Sequence, residues 1–133
     1  MNFMKLALEE AMQASERGSV PVGAVVVYRE AVFASSGNEM LKNFDPTAHA
    51  EIVVLRTACK LLKTCYLDEC DIYVTLEPCA MCAQAISLAR IRKLYFGAYD
   101  IKYGGVVHGC RVFDHSHHVP EVIGGVFETQ CAE

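Results

Sequence analysis

Asp71-Ile72-Tyr73-Val74-Thr75-Leu76-Glu77-Pro78-Cys79-Ala80-Met81-Cys82 is the stretch whose reading decides the fold. Its first six residues are dense in β-branched and aromatic side chains and predict a buried strand. Pro78 suits the opening of a helix, predicted from about Cys79 to Arg90. Lys93-Leu94-Tyr95-Phe96-Gly97-Ala98 predicts the next strand. Strand, helix and strand of these lengths make a βαβ unit, so part of the sheet is expected to be parallel.

Upstream, Val20 to Tyr28 and Val32 to Ser35 flank Arg29-Glu30 and predict a hairpin. Phe3, Leu6, Ala7, Ala11 and Ala14 recur at spacings of three and four, which predicts an amphipathic helix over 3–17 stopped by Gly18. Asp45-Pro46-Thr47 supplies cap residues for a helix from about Ala48 to Leu62. Downstream of Asp100, Gly104-Gly105, Gly109 and His115-Ser116-His117-His118 predict a long surface segment. A short strand within Glu121 to Val126 and a helix beginning at Glu128 complete the reading, with Met4, Met12 and Met81 as core or helix-face residues. No repeat or linker interrupts residues 1–133, which read as one layered α/β domain.

The chain has 133 residues, with 12 Lys+Arg against 16 Asp+Glu and a net charge of −4. That length fits one hydrophobic core, and 53% hydrophobic residues exclude a disordered chain. The acidic balance disfavours nonspecific nucleic-acid binding, which needs surplus Lys and Arg. The apolar runs are far shorter than a membrane span, and Glu9-Glu10 interrupts any secretory leader, so a cytoplasmic protein without membrane partners is expected. Seven cysteines are an odd number and fit metal binding or burial better than a disulfide framework.

Two motifs carry chemistry, His49-Ala50-Glu51 and Pro78-Cys79-Ala80-Met81-Cys82, each at the opening of a predicted helix. Cysteines at i and i+3 share a helical face and can reach one Zn²⁺, with His49 as third ligand. A helix N-terminus favours their thiolate forms. Three ligands leave a fourth position for water, whose pKa zinc lowers towards neutrality. Glu51, two residues beyond His49, falls beside the metal and suits a proton shuttle. The matching reaction is hydrolytic deamination of an amidine-like ring carbon. The bland reading is structural zinc, with Cys59, Cys65, Cys70 or Cys110 as a fourth ligand; the helix-opening placement of both motifs argues against it.

These motifs match the H-x-E and P-C-x-x-C signature of zinc deaminases. The chain more specifically resembles the bacterial tRNA-specific adenosine deaminases, which convert the wobble adenosine of an arginine tRNA anticodon to inosine. The resemblance runs from about Lys5 to the C-terminus, through Val20-Pro21-Val22-Gly23-Ala24-Val25, Gly37-Asn38, Asp45 to Ile52, Tyr73 to Cys82, Asp100 to Gly105 and His117 to Val122. It implies a three-layer α/β/α cytidine deaminase-like fold around a five-stranded mixed sheet, one zinc-dependent deaminase domain over 1–133, and a homodimer. By position, it implies that His49, Cys79 and Cys82 bind one Zn²⁺ per subunit and that Glu51 shuttles protons to and from purine C6 chemistry. It further implies that Asn38 hydrogen-bonds the flipped nucleoside, the Ala50 N–H holds the purine, and Val22 and Pro78 line the base pocket. Asp100 and Lys102 are implied to touch the backbone of the partner, a tRNA anticodon stem-loop.

Two departures from the family stand out. Its members continue past the position of Glu133 into a longer helix, so the C-terminal helix reads as truncated. Tyr99 stands where relatives often carry arginine. Lys42, Arg90, Arg92, Lys93, Lys102 and Arg111 are left as candidates for an RNA-facing patch if a dimer gathers them on one face, motivated by the clustering of Arg90, Arg92 and Lys93. His115, His117 and His118 raise a second metal site, against which a polar loop is the preferred reading. The alternative function is a deaminase of a free base or nucleoside, such as guanine or cytosine, on the same fold. A noncatalytic zinc-stabilised module is the third reading, and the presence of Glu51 argues against it.

Overall fold

The computed structural model of the chain describes residues 2–133. The βαβ unit forms as its sequence pattern predicts: β3 (Cys70–Leu76) and β4 (Lys93–Ala98) pair in parallel, with α4 (Ala80–Leu88) between them in the chain. β1 (Gly23–Tyr28) lies antiparallel to β3 on its other side, and β2 (Ala31–Gly37) lies antiparallel to β1. The short β5 (Glu121–Ile123) adds in parallel beyond β4, giving one mixed five-stranded sheet in the order β2-β1-β3-β4-β5.

The hairpin between β1 and β2 turns on Arg29 and Glu30, both with positive φ, at 49° and 63°. That is the two-residue geometry whose twist matches the strands, here built without the glycine or asparagine that signals it. A register shift between Val26 and Val27 then leaves Phe33 as the extra residue of a bulge.

Strand alternation distributes the core over both faces of the sheet. Ala24, Val26, Ile72, Val74, Leu94 and Phe96 point one way and meet Val54, Leu55 and Ala58 of α3 (Ala50–Leu62) with Ala83 and Ile86 of α4. Val25, Val27, Tyr73 and Tyr95 point the other way, towards Met4 and Ala7 of α1 (Phe3–Glu16) and Cys131 of α5 (Glu128–Ala132). The result is three layers, α/β/α. Phe96 is fully buried at their centre, so truncating it to alanine should cost about 3–5 kcal/mol through lost transfer energy and the cavity left behind.

The Asn2 side chain caps α1 by accepting from the Lys5 N–H at 3.2 Å. Met4 is core, whereas Met12 and Met81 occupy exposed helix-face positions.

The segment after Asp100 departs from its expectation as surface. Gly104, Gly105 and Val106 are buried, and Phe113, on a single 3-10 turn at Val112–His115, joins the main core. Its scattered apolar residues insert one at a time, a pattern with no helical or strand period to announce burial. Of its clustered histidines His118 is held in place: the Ser87 hydroxyl donates to the His118 carbonyl at 2.7 Å, and the His118 ring lies 2.7 Å from the Ile91 carbonyl. His115 and His117 are exposed.

Candidate active site

The carboxyl ends of β3 and β4 face the loops and helix starts where ligands of parallel sheets gather. Two helices begin there. His49 is the N-cap of α3 and Cys79 the N-cap of α4, both in extended backbone conformation and neither spending its side chain on a capping bond. Their side chains are therefore free to turn towards each other, and Cys82, one turn into α4, joins them. His49 Nδ1 lies 3.7 Å from Cys79 Sγ and 3.5 Å from Cys82 Sγ.

Those separations fit a shared ion. Zinc bonds of 2.0–2.1 Å to nitrogen and 2.3 Å to sulfur, at the tetrahedral angle, put N and S about 3.6 Å apart. Among the described residues this is the one group of three or more His, Cys, Asp or Glu side chains close enough to hold a metal ion together. Cys59, Cys65, Cys70 and Cys110, the candidate fourth ligands of a closed structural site, are not part of it.

The electrostatics of the group favour a charged sulfur. The hydrogen bond from the Cys82 thiol, with the backbone and His49 beside it, pulls the Cys79 thiol down to about 5. Cys82 is pushed up in turn, by that bond first and then by burial and the charge of Glu51. Glu51, in the first turn of α3, is 4% exposed. Burial, and the Cys79 charge beside it, raise its carboxyl to about 7.

A cleft of about 220 Å³ opens on these side chains. His49, Ala50, Glu51 and Cys79 form one wall, and Val22, Asn38 and Asp100 also line the cleft. Its volume falls below the range typical of pockets for drug-sized ligands and suits a single base. Asn38 lines the cleft, and its Oδ1 accepts from the Met40 N–H at 2.9 Å, which fixes the start of α2 (Met40–Asn43). Ala50 is the first residue of α3, so its N–H has no acceptor within the helix. Pro78 is fully buried behind the cleft, and Lys102 lies outside the lining with its ammonium 5.2 Å from the Tyr103 ring centre.

Sequence reasoning missed Val20, Met40, Leu76, Glu77 and Tyr103, which also line the cleft. Met40 opens the four-residue α2 and Tyr103 sits in a turn, both too short to carry a periodic signal. Glu77 could have been flagged as a charge between a buried strand and Pro78. It is 2% exposed, and although burial works to raise its carboxyl, the His108 ring and backbone donors outweigh this and hold it below its ordinary value.

Several candidates for the basic patch carry local partners within the chain. Arg90, Arg92 and Lys93 lie at the start of β4, the opposite end of the strand from the cleft. Arg92 makes a two-pronged bond to Asp71 at 2.9 and 2.8 Å, Lys93 pairs with Glu121 at 3.4 Å, and Arg90 lies 4.1 Å over the Tyr66 ring. Arg111 is paired with Asp114 at 3.1 Å. These charges have local partners that sequence proximity conceals.

Comparison with known proteins agrees with this geometry. Residues 1–130 match the family described as MafB19-like deaminase. A tRNA-specific adenosine deaminase of Agrobacterium fabrum is 53% identical over 134 residues, covering 99% of this chain and 88% of the relative. A solved structure from work on A-to-I editing at the wobble position of transfer RNA superposes with a TM-score of 0.96 at 53% identity, covering 98% of this chain and 96% of that one. A guanine deaminase of Bacillus subtilis superposes less well, with a TM-score of 0.72 at 40% identity over 74% of this chain and 66% of that one. By site geometry, sequence and fold together, the chain belongs to the MafB19-like deaminases and, among them, to the family of tRNA-specific adenosine deaminases.

Proposed function

We propose that the chain converts the wobble adenosine of a tRNA anticodon, that of an arginine tRNA, to inosine by hydrolysis, with release of ammonia. The observation that carries this reading is the convergence of His49, Cys79 and Cys82 beside the buried Glu51 on a cleft sized for one base. A zinc ion held by those three side chains, one per subunit, would supply Lewis-acid activation of the attacking water.

The remaining chemistry belongs to the protein. Glu51, with its carboxyl near 7, takes a proton from the water and returns protons to the ring nitrogen and then the leaving amine at neutral pH. Asn38 donates its amide NH₂ to the nucleoside, and the Ala50 N–H at the start of α3 holds the purine edge. Val22, with Pro78 behind the wall, supplies apolar contact to a base taken out of its stack. Asp100 and Lys102 sit at the rim, where the anticodon backbone passes. The enzyme works as a cytoplasmic homodimer; among the described residues no helix is long and apolar enough to cross a membrane.

The test offers the zinc-loaded chain an arginine anticodon stem-loop with wobble adenosine, beside free adenosine, guanine, cytosine and cytidine. Inosine in the stem-loop alone is the expected result. Turnover of a free base alone would move the chain to the small-substrate reading, to which the likeness with the guanine deaminase belongs.

A further inference from the structure

Glu77 follows the end of β3 directly and precedes Pro78-Cys79, and its carboxylate gathers five hydrogen bonds. Oε2 accepts from three consecutive backbone N–H groups, those of Val106, Val107 and His108, at 3.2, 2.8 and 3.0 Å. Oε1 accepts from the Asp100 N–H at 3.1 Å and lies 2.8 Å from the His108 ring Nδ1. Three successive amides converging on one oxygen form a backbone anion nest, here occupied by the protein's own side chain. The segment from Asp100 to His108 is thus wound around one buried charge.

That segment is also the far wall of the cleft, because Asp100 and Tyr103 line it. Its internal bonds reach back to Asp100, whose Oδ1 accepts from the Lys102 and Tyr103 N–H groups at 3.1 and 2.9 Å. Two glycines let it sit this close. A Cβ on Gly104 would fall 2.5 Å from Glu77 Oε2, and one on Gly105 would fall 2.5 Å from the Ala80 amide nitrogen at the start of α4. The Gly105 N–H closes the arrangement by donating to the Pro78 carbonyl at 2.8 Å. One carboxylate therefore ties the wall of the cleft to the turn that carries Cys79.

The geometry points to Glu77 as a positioning residue that fixes the 100–108 wall against the metal-side helix and so sets how the anticodon segment is gripped. This rests on the RNA substrate reading above and assigns that site a further determinant. The hydrogen bonds of the Glu77 carboxylate all go to the 100–108 segment and none to His49, Cys79, Cys82 or Glu51, so it acts through the wall. Its removal should weaken substrate binding and leave the chemical step and the metal intact.

Glu77→Gln tests this with little change in shape. An amide offers one acceptor oxygen in place of two, so either the three-amide nest or the Asp100 and His108 donors lose their partner. In the zinc-loaded variant, KM for the stem-loop should rise about tenfold while kcat stays within about threefold of the parent. Zinc content should remain equal to the parent's. Independently of any substrate, the amides of Val106, Val107 and His108 should exchange with deuterium about tenfold faster, while those of α3 keep their rates. His108→Ala removes one of the five partners and should move KM and exchange in the same direction by less, which keeps the test open if Glu77→Gln fails to fold.

A fall in kcat with zinc loss at unchanged KM would overturn the proposal, because Glu77 would then act on the metal end. Unchanged exchange at residues 106–108 would overturn it as well. If the parent itself leaves the stem-loop untouched, the substrate reading fails instead, and the exchange data still decide whether Glu77 holds the wall.

Discussion

Two buried carboxylates six residues apart, one on β3 and one just past its end, are satisfied in opposite ways. Asp71, near the start of the strand, is held by a side chain, the Arg92 guanidinium in a two-pronged bond. Glu77, just beyond its end, is held chiefly by backbone N–H groups of a loop. This side-chain pair ties two neighbouring strands together, since Arg92 precedes β4 directly. A backbone nest fixes the path of a whole segment. The difference separates an end of the sheet that stabilises from an end that works, and the metal cluster, Glu51 and the cleft all lie at the second.

The comparison is open to attack at both ends. The largest effect is expected from Cys82→Ser, which removes the fully buried member of the His49, Cys79 and Cys82 cluster. Zinc measured by atomic absorption should fall from about one per chain to near zero, and turnover should go with it. Zinc retained in full would mean that the cluster is not the metal site.

Asp71→Asn strikes the other end. It should lower unfolding stability by about 2 kcal/mol, the scale of a charge-assisted bond, while kcat and KM stay at parental values. A loss of turnover without a loss of stability would erase the division between the two ends. Lys102→Glu tests the rim: the slope of log affinity for the stem-loop against log salt should shrink by about one. An unchanged slope would remove Lys102 from the RNA contact.

The smallest effect concerns Asp45, whose carboxylate accepts from the Thr47 N–H and hydroxyl at 2.9 and 2.7 Å ahead of α3. The Thr47 bonds hold it below its ordinary 3.8. A folded-state value below the unfolded one means that the unfolded chain binds the proton more tightly. Asp45 thus adds stability above pH 3.8 that drains away as pH falls through the lower folded value. Asp45→Asn should flatten that acid limb in a series of melting temperatures, and an unaltered limb would show that the Thr47 bonds add nothing.

How far the sequence speaks depends on whether a signal is local. The βαβ unit was readable because β-branched runs and Pro78 act within a few residues, and the Cys79 and Cys82 spacing because i and i+3 share a helix face. The hairpin was readable in its strands, yet its turn, with Arg29 and Glu30 at positive φ, carries no residue that announces one. Glu77 escaped notice as an anchor because its partners lie 23 to 31 residues away and are main-chain amides, which every residue owns. The local partners of Arg90, Arg92 and Lys93 were hidden for a related reason. Those partners, Tyr66, Asp71 and Glu121, come from other parts of the chain, so the sequence displays the charges without their neutralisation.

The central claim is that the working end of the sheet deaminates an RNA base with Glu51 moving the protons. Single-turnover inosine formation on the wobble-adenosine stem-loop, with parent and Glu51→Gln both loaded with zinc, tests it most directly. The account expects equal zinc content, equal affinity for the RNA and a rate lower by about 10²–10⁴ in the variant. A Glu51→Gln enzyme that forms inosine at the parental rate would contradict it.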